Sequence, residues 1–204
     1  MTMMIHDENA ARNLIECRQR LGIDRLDEVW DGLYIITKEP DTQHRKVALG
    51  LARCLLEPVE DDGLGEVSSG VKVSDREDDW RRNYRCPDVA VHLYKTAAKK
   101  FATHWLGGPD FVAEVISKGD RSRRKFGFHA GSGTRELLLI DRNPWVLELY
   151  RREDDELRSV GKSNLDVPTP LESSVLPLSF RLVEGRRRPR IMVVHADGSE
   201  SWRV

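Results

Sequence analysis

Two short apolar segments of the chain each contain one carboxylate, the type of side chain that binds hard metal ions. Asp88 follows Pro87 at the start of Val89 to Leu93, a run rich in β-branched residues that predicts a buried strand. Glu114 lies within a second predicted strand, Phe111 to Ile116, whose other residues are apolar. A buried carboxylate needs a cation, a metal ion or a dense set of hydrogen bonds, because burying it unpaired is costly. A cation site shared by the two strands is the simplest partner.

A segment with basic residues follows the second strand and predicts a short helix. Ser117 or Asp120 is a candidate N-cap, and Gly131-Ser132-Gly133 is the stop signal. Phe128 is the apolar residue expected to face the sheet. Lys125 lies on the same helical face, so its methylenes should pack while its ammonium extends towards the carboxylates.

The remaining elements are predicted from hydrophobic periodicity and turn residues. We expect an amphipathic N-terminal helix from Asp7 to Arg20, followed by a turn and strand at Trp30 to Thr37. A second helix is expected from Gln43 to about Leu56, capped by Asp41 or Thr42 and ended by Pro58. Further strands are expected at Leu64 to Val73, Leu137 to Ile140, Trp145 to Tyr150, Leu157 to Gly161 and Leu178 to Val183, with a hairpin at Ile191 to Trp202. Ser74 to Arg85 is expected to be a solvated or substrate-facing loop, and Lys95 to Gly108 a connector. This order predicts an α/β protein with a mixed sheet.

The chain of 204 residues is expected to form one domain, with its core at about residues 30–150, an N-terminal helix at 7–20 and C-terminal strands at 151–204. Its net charge is -1, so binding to nucleic acid would require local clusters of basic residues.

The three cysteines, Cys17, Cys54 and Cys86, are widely spaced and form no Cys-x-x-Cys motif. They favour a reducing cytoplasm and argue against a structural zinc site. Polar residues within Met1 to Ala10 argue against a signal peptide, and no apolar run approaches membrane-spanning length. The sequence therefore predicts a cytoplasmic protein that does not enter a membrane.

The ordered motifs resemble one family. They are Pro87-Asp88 before an apolar strand, Glu114 in Phe111 to Ser117, Asp120 and Lys125 in a helix, and Gly133-x-x-Glu136 before Ile140-Asp141. This set is similar to the bacterial putative restriction endonuclease family, also called Uma-two-like, of the PD-(D/E)XK nuclease superfamily. Asp31-Gly32-Leu33 and His44 fit that family's acidic turn and helical histidine, so the resemblance covers about Asp31 to Tyr150.

Several positions depart from the family's pattern. Ser117-Lys118 stands where Ser-Pro is usual, His129 stands near the usual Tyr, and Glu136-Leu137-Leu138 replaces Glu-Tyr-Trp. Ile116 occupies the position of the lysine in the strict superfamily pattern. The family's lysine lies in the following helix, and Lys125 matches that location.

The resemblance implies a restriction-endonuclease-like fold, in which a central mixed sheet is flanked by helices. It implies Asp88 and Glu114 as ligands of Mg²⁺ or Mn²⁺, with Lys125 as the basic catalytic residue. His44 and Asp31 are additional site candidates. Two carboxylates with a backbone carbonyl, that of Val115, suit Mg²⁺, which prefers oxygen ligands and keeps several waters.

The implied function is a metal-dependent endonuclease that hydrolyses nucleic acid, with DNA favoured over RNA and a homodimer allowed. A nuclease-fold protein that binds nucleic acid or regulates without catalysis is the alternative. A structural protein with buried salt bridges is a third. The sequence assigns no nucleic-acid-binding residues.

Each candidate residue also has a structural explanation. Asp88 could cap a turn, Glu114 could form a buried ion pair, and Lys125 could be a solvated helix residue. His44 and His129 could be hydrogen-bonded structural residues, Asp31 and Asp141 are expected in turns, Glu136 is expected to support the site, and the arginines at 186–190 fit a solvated loop or an unspecific phosphate anchor.

Overall fold

The computed structural model describes residues 8–117 and 122–204. The described residues form three α-helices: α1 (Glu8–Leu21), α2 (Thr42–Leu56) and α3 (Phe126–Ser132). The strands are β1 (Glu28–Trp30), β2 (Leu33–Ile35), β3 (Gly65–Ser68), β4 (Val73–Ser74), β5 (Tyr84–Arg85), β6 (Val89–Leu93), β7 (Lys99–Lys100), β8 (Trp105–Leu106), β9 (Phe111–Val115), β10 (Glu136–Arg142), β11 (Trp145–Glu153), β12 (Glu156–Ser163), β13 (Leu171–Glu172), β14 (Leu178–Val183), β15 (Arg190–His195) and β16 (Ser201–Arg203).

The central sheet has the strand order β12-β11-β10-β9-β6-β3. Strands β9 and β10 are parallel, and the other neighbours are antiparallel, so the sheet is mixed as predicted. Strand β6 has the predicted bounds, and β9 ends one residue earlier than expected. Both are buried on two faces, which explains their nearly continuous apolar sequences.

The two faces of the central sheet carry different layers. Alternate residues of β6, β9 and β10 pack with α2 and with strands β13 to β15 in one large apolar core. The intervening residues of β9 and β10, including Val112 and Leu139, pack on the opposite face against Phe126 of α3. The prediction of a central sheet flanked by helices is therefore confirmed.

Helix α2 positions one end of the site. Its buried stripe, Val47, Leu51, Cys54 and Leu55, is the predicted one, and the Asp41 carboxylate caps the helix by accepting the His44 N–H at 2.8 Å. The α-helix ends at Leu56, and a π-helical turn over Glu57–Asp61 follows, with Pro58 in its first turn.

A second sheet has the order β2-β1-β5-β4-β8-β7 and includes strands that the sequence did not predict. The predicted loop Ser74 to Arg85 contains β5, and the predicted connector Lys95 to Gly108 contains β7 and β8. The sequence did not indicate these strands, because strands of two residues are too short to show periodicity. Their pairing depends on neighbours distant in sequence, such as Val29 opposite Tyr84.

The C-terminal strands form an antiparallel sheet with the order β13-β14-β15-β16. The predicted hairpin is confirmed: β15 and β16 are joined by a turn in which Gly198 has φ +74°, a left-handed conformation suited to glycine. This sheet contributes Phe180 to the main core, where its ring lies 5.6 Å from that of Phe111. The C-terminal strands therefore contribute to the main core.

Among the described residues, no helix is both long and apolar enough to cross a membrane.

Candidate active site

The two predicted metal ligands lie on neighbouring antiparallel strands. Val89 of β6 pairs with Ala113 of β9, and Asp88 and Glu114 are the next residues outward on the two strands. Directly opposed residues of an antiparallel pair have side chains on the same face, so this register brings the carboxylates together. The Glu114 side chain is only 4% exposed and the Asp88 side chain 21%. The pair therefore lies at the border between core and solvent.

The carboxylate of Asp88 is fixed by two contacts. Its Oδ1 lies 2.8 Å from His44 Nε2, and its Oδ2 accepts a hydrogen bond from the Val115 N–H at 2.8 Å. At the end of the β6–β9 ladder, the Asp88 carboxylate thus accepts the Val115 N–H as a backbone carbonyl does elsewhere in the ladder. His44 reaches it from the first turn of α2, so the helical histidine and the predicted ligand lie together.

Glu114 is held by Lys125. The Lys125 ammonium donates to Glu114 Oε1 at 3.0 Å and also lies 2.9 Å from Glu28 Oε1. A turn of 3-10 helix over Ser122–Lys125 precedes α3, so Lys125 occupies the N-cap position of α3 and not its interior. Burial alone would lower the pKa of Lys125, but the nearby Glu114 and Glu28 outweigh this effect and raise it well above the ordinary value.

Glu28 was not predicted as a site residue. Its Oε1 accepts the Cys86 N–H at 2.9 Å and its Oε2 accepts the Trp30 indole N–H at 2.8 Å, which fixes the carboxylate beside Lys125. The available signal was weak: an acidic residue next to Val29 and just before the Asp31-Gly32 turn, in a strand of three residues.

Among the described residues, three carboxylates, those of Glu114, Glu28 and Asp88, act on the charge of Lys125. Glu28 also acts on the buried guanidinium of Arg85. That guanidinium lies between aromatic rings, 4.7 Å from the Trp30 ring centroid and 4.2 Å from that of Phe128, and donates to the carbonyl of Val29 at 2.8 Å. Burial lowers the pKa of Arg85, and the Glu28 carboxylate opposes that effect.

Phe128 therefore does not face the central sheet as expected. It covers Arg85 of the second sheet, and Phe126 is the aromatic residue of α3 that packs on the central sheet. The shorter α3 explains this, because replacing its predicted first turns by a 3-10 turn rotates the following residues. His129 is fully buried, with Nε2 at 3.5 Å from Glu114 Oε1.

A polar network connects the site to the end of β10. His44 Nδ1 lies 2.9 Å from Ser117 Oγ, and Arg142 approaches that hydroxyl at 3.5 Å and donates to the Ile116 carbonyl at 3.3 Å. Arg142 also binds both carboxylate oxygens of Asp41, at 2.8 and 2.9 Å. Hydrogen bonds from Arg142 hold the pKa of Asp41 well below its ordinary range.

The remaining candidates contact other groups. Asp31, at φ 49°, lies in the β1–β2 turn and pairs with Arg76 at 2.8 Å, and Asp141 accepts the Asn143 N–H at 2.9 Å. Glu136 accepts hydrogen bonds from Arg151, Ser173 and Ser174. Lys118 and Asp120 lie outside the described residues.

The donor set fits a hard divalent cation bound through few protein ligands. Within residues 8–117 and 122–204, no group of three or more His, Cys, Asp or Glu side chains is arranged to hold a metal ion. Asp88 and Glu114 provide two carboxylates for such a cation. Mg²⁺ commonly binds through one or two carboxylates and keeps waters in its other positions.

The fold matches that of a solved structure described as a putative nuclease belonging to DUF820 from Anabaena variabilis ATCC 29413. The TM-score is 0.59 and the sequence identity 16%, and the alignment covers 72% of this chain and 80% of the other. A family model described as Uma2, "Putative restriction endonuclease", matches residues 23–189. The chain therefore belongs to the Uma2 putative restriction endonuclease family, as the sequence motifs indicated. A search of curated proteins found no match.

Proposed function

We propose that this protein is a divalent-cation-dependent endonuclease that hydrolyses phosphodiester bonds in DNA. Family membership and the nuclease-like fold support the reaction class. One observation carries the assignment of the site: Lys125 Nζ lies 3.0 Å from Glu114 Oε1 on the strand opposite Asp88. An acidic pair could hold a divalent cation, and an adjacent lysine could stabilise negative charge on the phosphoryl group during phosphodiester hydrolysis.

Asp88 and Glu114 would hold Mg²⁺ or Mn²⁺, with the Val115 carbonyl as a further oxygen ligand. When bound, the cation would activate a water and neutralise charge on the phosphoryl group. His44 would orient Asp88 through the contact of 2.8 Å, while Ser117 holds the other side of the imidazole ring. Lys125 would provide a fixed positive charge for the phosphoryl oxygens.

A non-catalytic nuclease-fold module that binds nucleic acid or regulates is the second candidate. Its favouring observation is that the site is partly self-satisfied. Both Asp88 oxygens have hydrogen-bond partners, and Lys125 is held by two carboxylates. Such contacts would have to rearrange before a metal ion could bind.

The deciding experiment combines two measurements. The first is cleavage of plasmid DNA with about 5–10 mM Mg²⁺ or with a chelator, and the second is calorimetric titration of Mn²⁺. Cleavage that requires the cation and is lost in Glu114→Gln supports the nuclease. Metal binding without cleavage would support the non-catalytic module. No metal binding and no cleavage would leave the cluster as a buried salt bridge.

Asp110→Asn is the matched control, because Asp110 is a buried carboxylate that accepts the Leu93 N–H at 2.9 Å and lies outside the proposed site. It should retain metal-dependent cleavage.

We further propose a cytoplasmic location and self-association. The three free cysteines, Cys17, Cys54 and Cys86, support a reducing compartment. Exposed Leu21, Ile23 and Leu33 near α1 and β2 support a homodimer contact, which light scattering would test.

A further inference from the structure

Four arginines lie between the end of β14 and the start of β15: Arg186, Arg187 and Arg188 on the connecting segment and Arg190 as the first residue of β15, here together called the arginine loop. In the part of the chain that the structure describes, none of them pairs with an aspartate or glutamate side chain. Many other arginines do pair with carboxylates, namely Arg18, Arg45, Arg76, Arg123, Arg135, Arg142, Arg151, Arg152 and Arg158. The arginine loop is therefore a local excess of positive charge on a chain whose net charge is -1.

The arginine loop lies on the side of the protein where the site network ends. The Arg188 guanidinium lies 5.4 Å from the ring centroid of Trp145 and donates to the Pro189 carbonyl at 2.9 Å. Trp145 is the cross-strand partner of Arg142 in the β10–β11 pair. Arg142 in turn contacts Ser117, which binds His44 beside Asp88.

The charges of this region also influence one another. Burial lowers the pKa of Arg188, and the positive charges of Arg190 and Arg142 lower it further. Mutual repulsion among arginines is costly unless an anion is bound between them. An anion bound between these arginines would relieve that repulsion.

We infer that the arginine loop binds the phosphate backbone of double-stranded DNA and guides it from there, past Arg142, to the site at Asp88 and Glu114. This inference rests on the proposed function, to which it adds the surface that binds the substrate. Arginine binds phosphate through two parallel N–H donors, and such contacts are independent of base sequence.

The chemistry of the surface favours a duplex over a single strand. Proteins that bind single strands present aromatic rings on which bases stack. The aromatic ring of this surface, Trp145, is packed against the apolar core and lies under the Arg188 guanidinium. What remains exposed is charge, in Arg186, Arg187 and Arg190, which matches the regularly spaced phosphates of a duplex.

The test is DNA binding by Arg186→Gln/Arg187→Gln, two exposed residues whose replacement removes charge without disturbing the core. Fluorescence anisotropy would measure affinity for a mixed-sequence duplex of about 20 base pairs in EDTA, over a series of salt concentrations. We expect affinity to fall about tenfold or more near 0.1 M salt, and the slope of log K against log salt to decrease in magnitude by about 2.

Arg12→Gln/Arg20→Gln is the matched control, because it removes the same charge from exposed positions of α1. Affinity and slope should stay within about twofold of the unmodified protein. The inference is overturned if the control loses as much affinity as the arginine-loop variant, if the arginine-loop variant binds normally, or if a single strand of equal length binds more tightly than the duplex.

Failure of this inference can be separated from failure of the proposed function. Hydrolysis of bis(p-nitrophenyl) phosphate, a small phosphodiester, needs the site but no extended surface. Arg186→Gln/Arg187→Gln should therefore hydrolyse it at the normal rate while cleaving duplex DNA about tenfold more slowly at low DNA concentration. If the unmodified protein cleaves neither substrate, the binding measurement still tests the arginine loop.

Discussion

Glu114 and Glu136 are both buried carboxylates on adjacent strands of the central sheet, yet their surroundings differ. Glu136 accepts hydrogen bonds from Arg151 Nε at 2.9 Å, from the N–H and hydroxyl of Ser174 at 2.9 and 2.7 Å, and from the Ser173 hydroxyl. These donors connect the start of β10 to the segment after β13. The contacts with Ser173 and Ser174 therefore tie the C-terminal sheet to the central one, while Arg151 holds Glu136 from the neighbouring strand β11.

Within the part of the chain that the structure describes, Glu114 has no such set of donors. Its described polar contacts are Lys125, which it shares with Glu28, and the His129 ring nitrogen at 3.5 Å. A satisfied carboxylate stabilises the fold, whereas one that shares its cation with a second carboxylate remains able to bind another cation. The difference shows that burial alone does not identify a site residue; the number and identity of the donors does.

The strongest test of this difference replaces each carboxylate by its amide. Glu114→Gln should lower DNA cleavage by about 10³-fold, because it removes a charged metal ligand. Its free energy of unfolding should change by less than about 1 kcal/mol, since Lys125 keeps Glu28 as a partner. Initial cleavage rates and urea denaturation would measure the two effects.

Glu136→Gln should show the reverse pattern. Its amide N–H would face the Ser173 hydroxyl, whose oxygen already accepts from the N–H groups of Val175 and Leu176 at 3.1 and 2.9 Å. We expect a loss of about 2 kcal/mol of stability with cleavage retained below the unfolding transition. If Glu136→Gln abolished cleavage while remaining folded, the division between a structural and a functional carboxylate would be wrong.

Lys125 allows a second test of the comparison. Lys125→Ala should lower turnover by about 10²-fold, the effect of losing one donor of positive charge near the reacting phosphate, without weakening Mn²⁺ binding in calorimetry. Lys162→Ala is the control: Lys162 pairs with the buried Glu148 at 2.9 Å outside the site and should cost less than about tenfold.

Lys125→Ala also leaves Glu114 and Glu28 buried without their cation, which should lower the free energy of unfolding by about 3 kcal/mol. Adding Glu28→Gln should restore much of that stability but none of the turnover. Recovery of turnover in the double variant would mean that Lys125 acts only by stabilising the fold.

The sequence predicted the two strands that border Asp88 and Glu114 better than it predicted the elements around them. Strands β6 and β9 were predictable because burial on both faces makes them continuously apolar, and a carboxylate within such a strand is conspicuous. Glu28 was not, because its strand has three residues and its contact with Lys125 joins segments far apart in the chain. No local pattern encodes such a contact.

Helix α3 shows the same limit at smaller scale. The family pattern indicated Lys125 but not the 3-10 turn before Phe126, which directs Phe128 towards Arg85. The extent of the domain, the metal ligands and the location in the cell stay predictions.

His92 extends the comparison to a buried side chain that can titrate. In the described residues, neither ring nitrogen of His92 has a hydrogen bond, and the ring stacks on Trp105 at 3.6 Å. Burial lowers its pKa from 6.5 to about 4, against the opposing charges of Asp110 and Glu66. The unfolded chain therefore binds a proton at a higher pH than the folded protein does, so stability falls as pH decreases from about 6.5 to about 4.

Between pH 7 and pH 5 this single group should remove about 2 kcal/mol of stability. His92→Phe keeps a ring against Trp105 and cannot titrate. The unfolding free energy of the unmodified protein minus that of His92→Phe should therefore be about 2 kcal/mol lower at pH 5 than at pH 7. Urea denaturation at both pH values would measure it. A difference independent of pH would show that His92 is solvated or hydrogen-bonded.

The smallest expected effect concerns Asp88, whose carboxylate already has two partners. Asp88→Asn should weaken Mn²⁺ binding at least tenfold in calorimetry, because it removes the charge of one ligand while keeping its shape. The fold should survive, since the amide oxygen can still accept the Val115 N–H and the amide N–H₂ can donate to His44, whose Nε2 can accept in one tautomer. Asp110→Asn, which alters a buried carboxylate at the other end of the β6–β9 pair, should leave metal affinity unchanged. Equal affinity in Asp88→Asn and the unmodified protein would assign Asp88 to the same structural class as Glu136, as a carboxylate that caps the strand ladder and anchors α2 through His44.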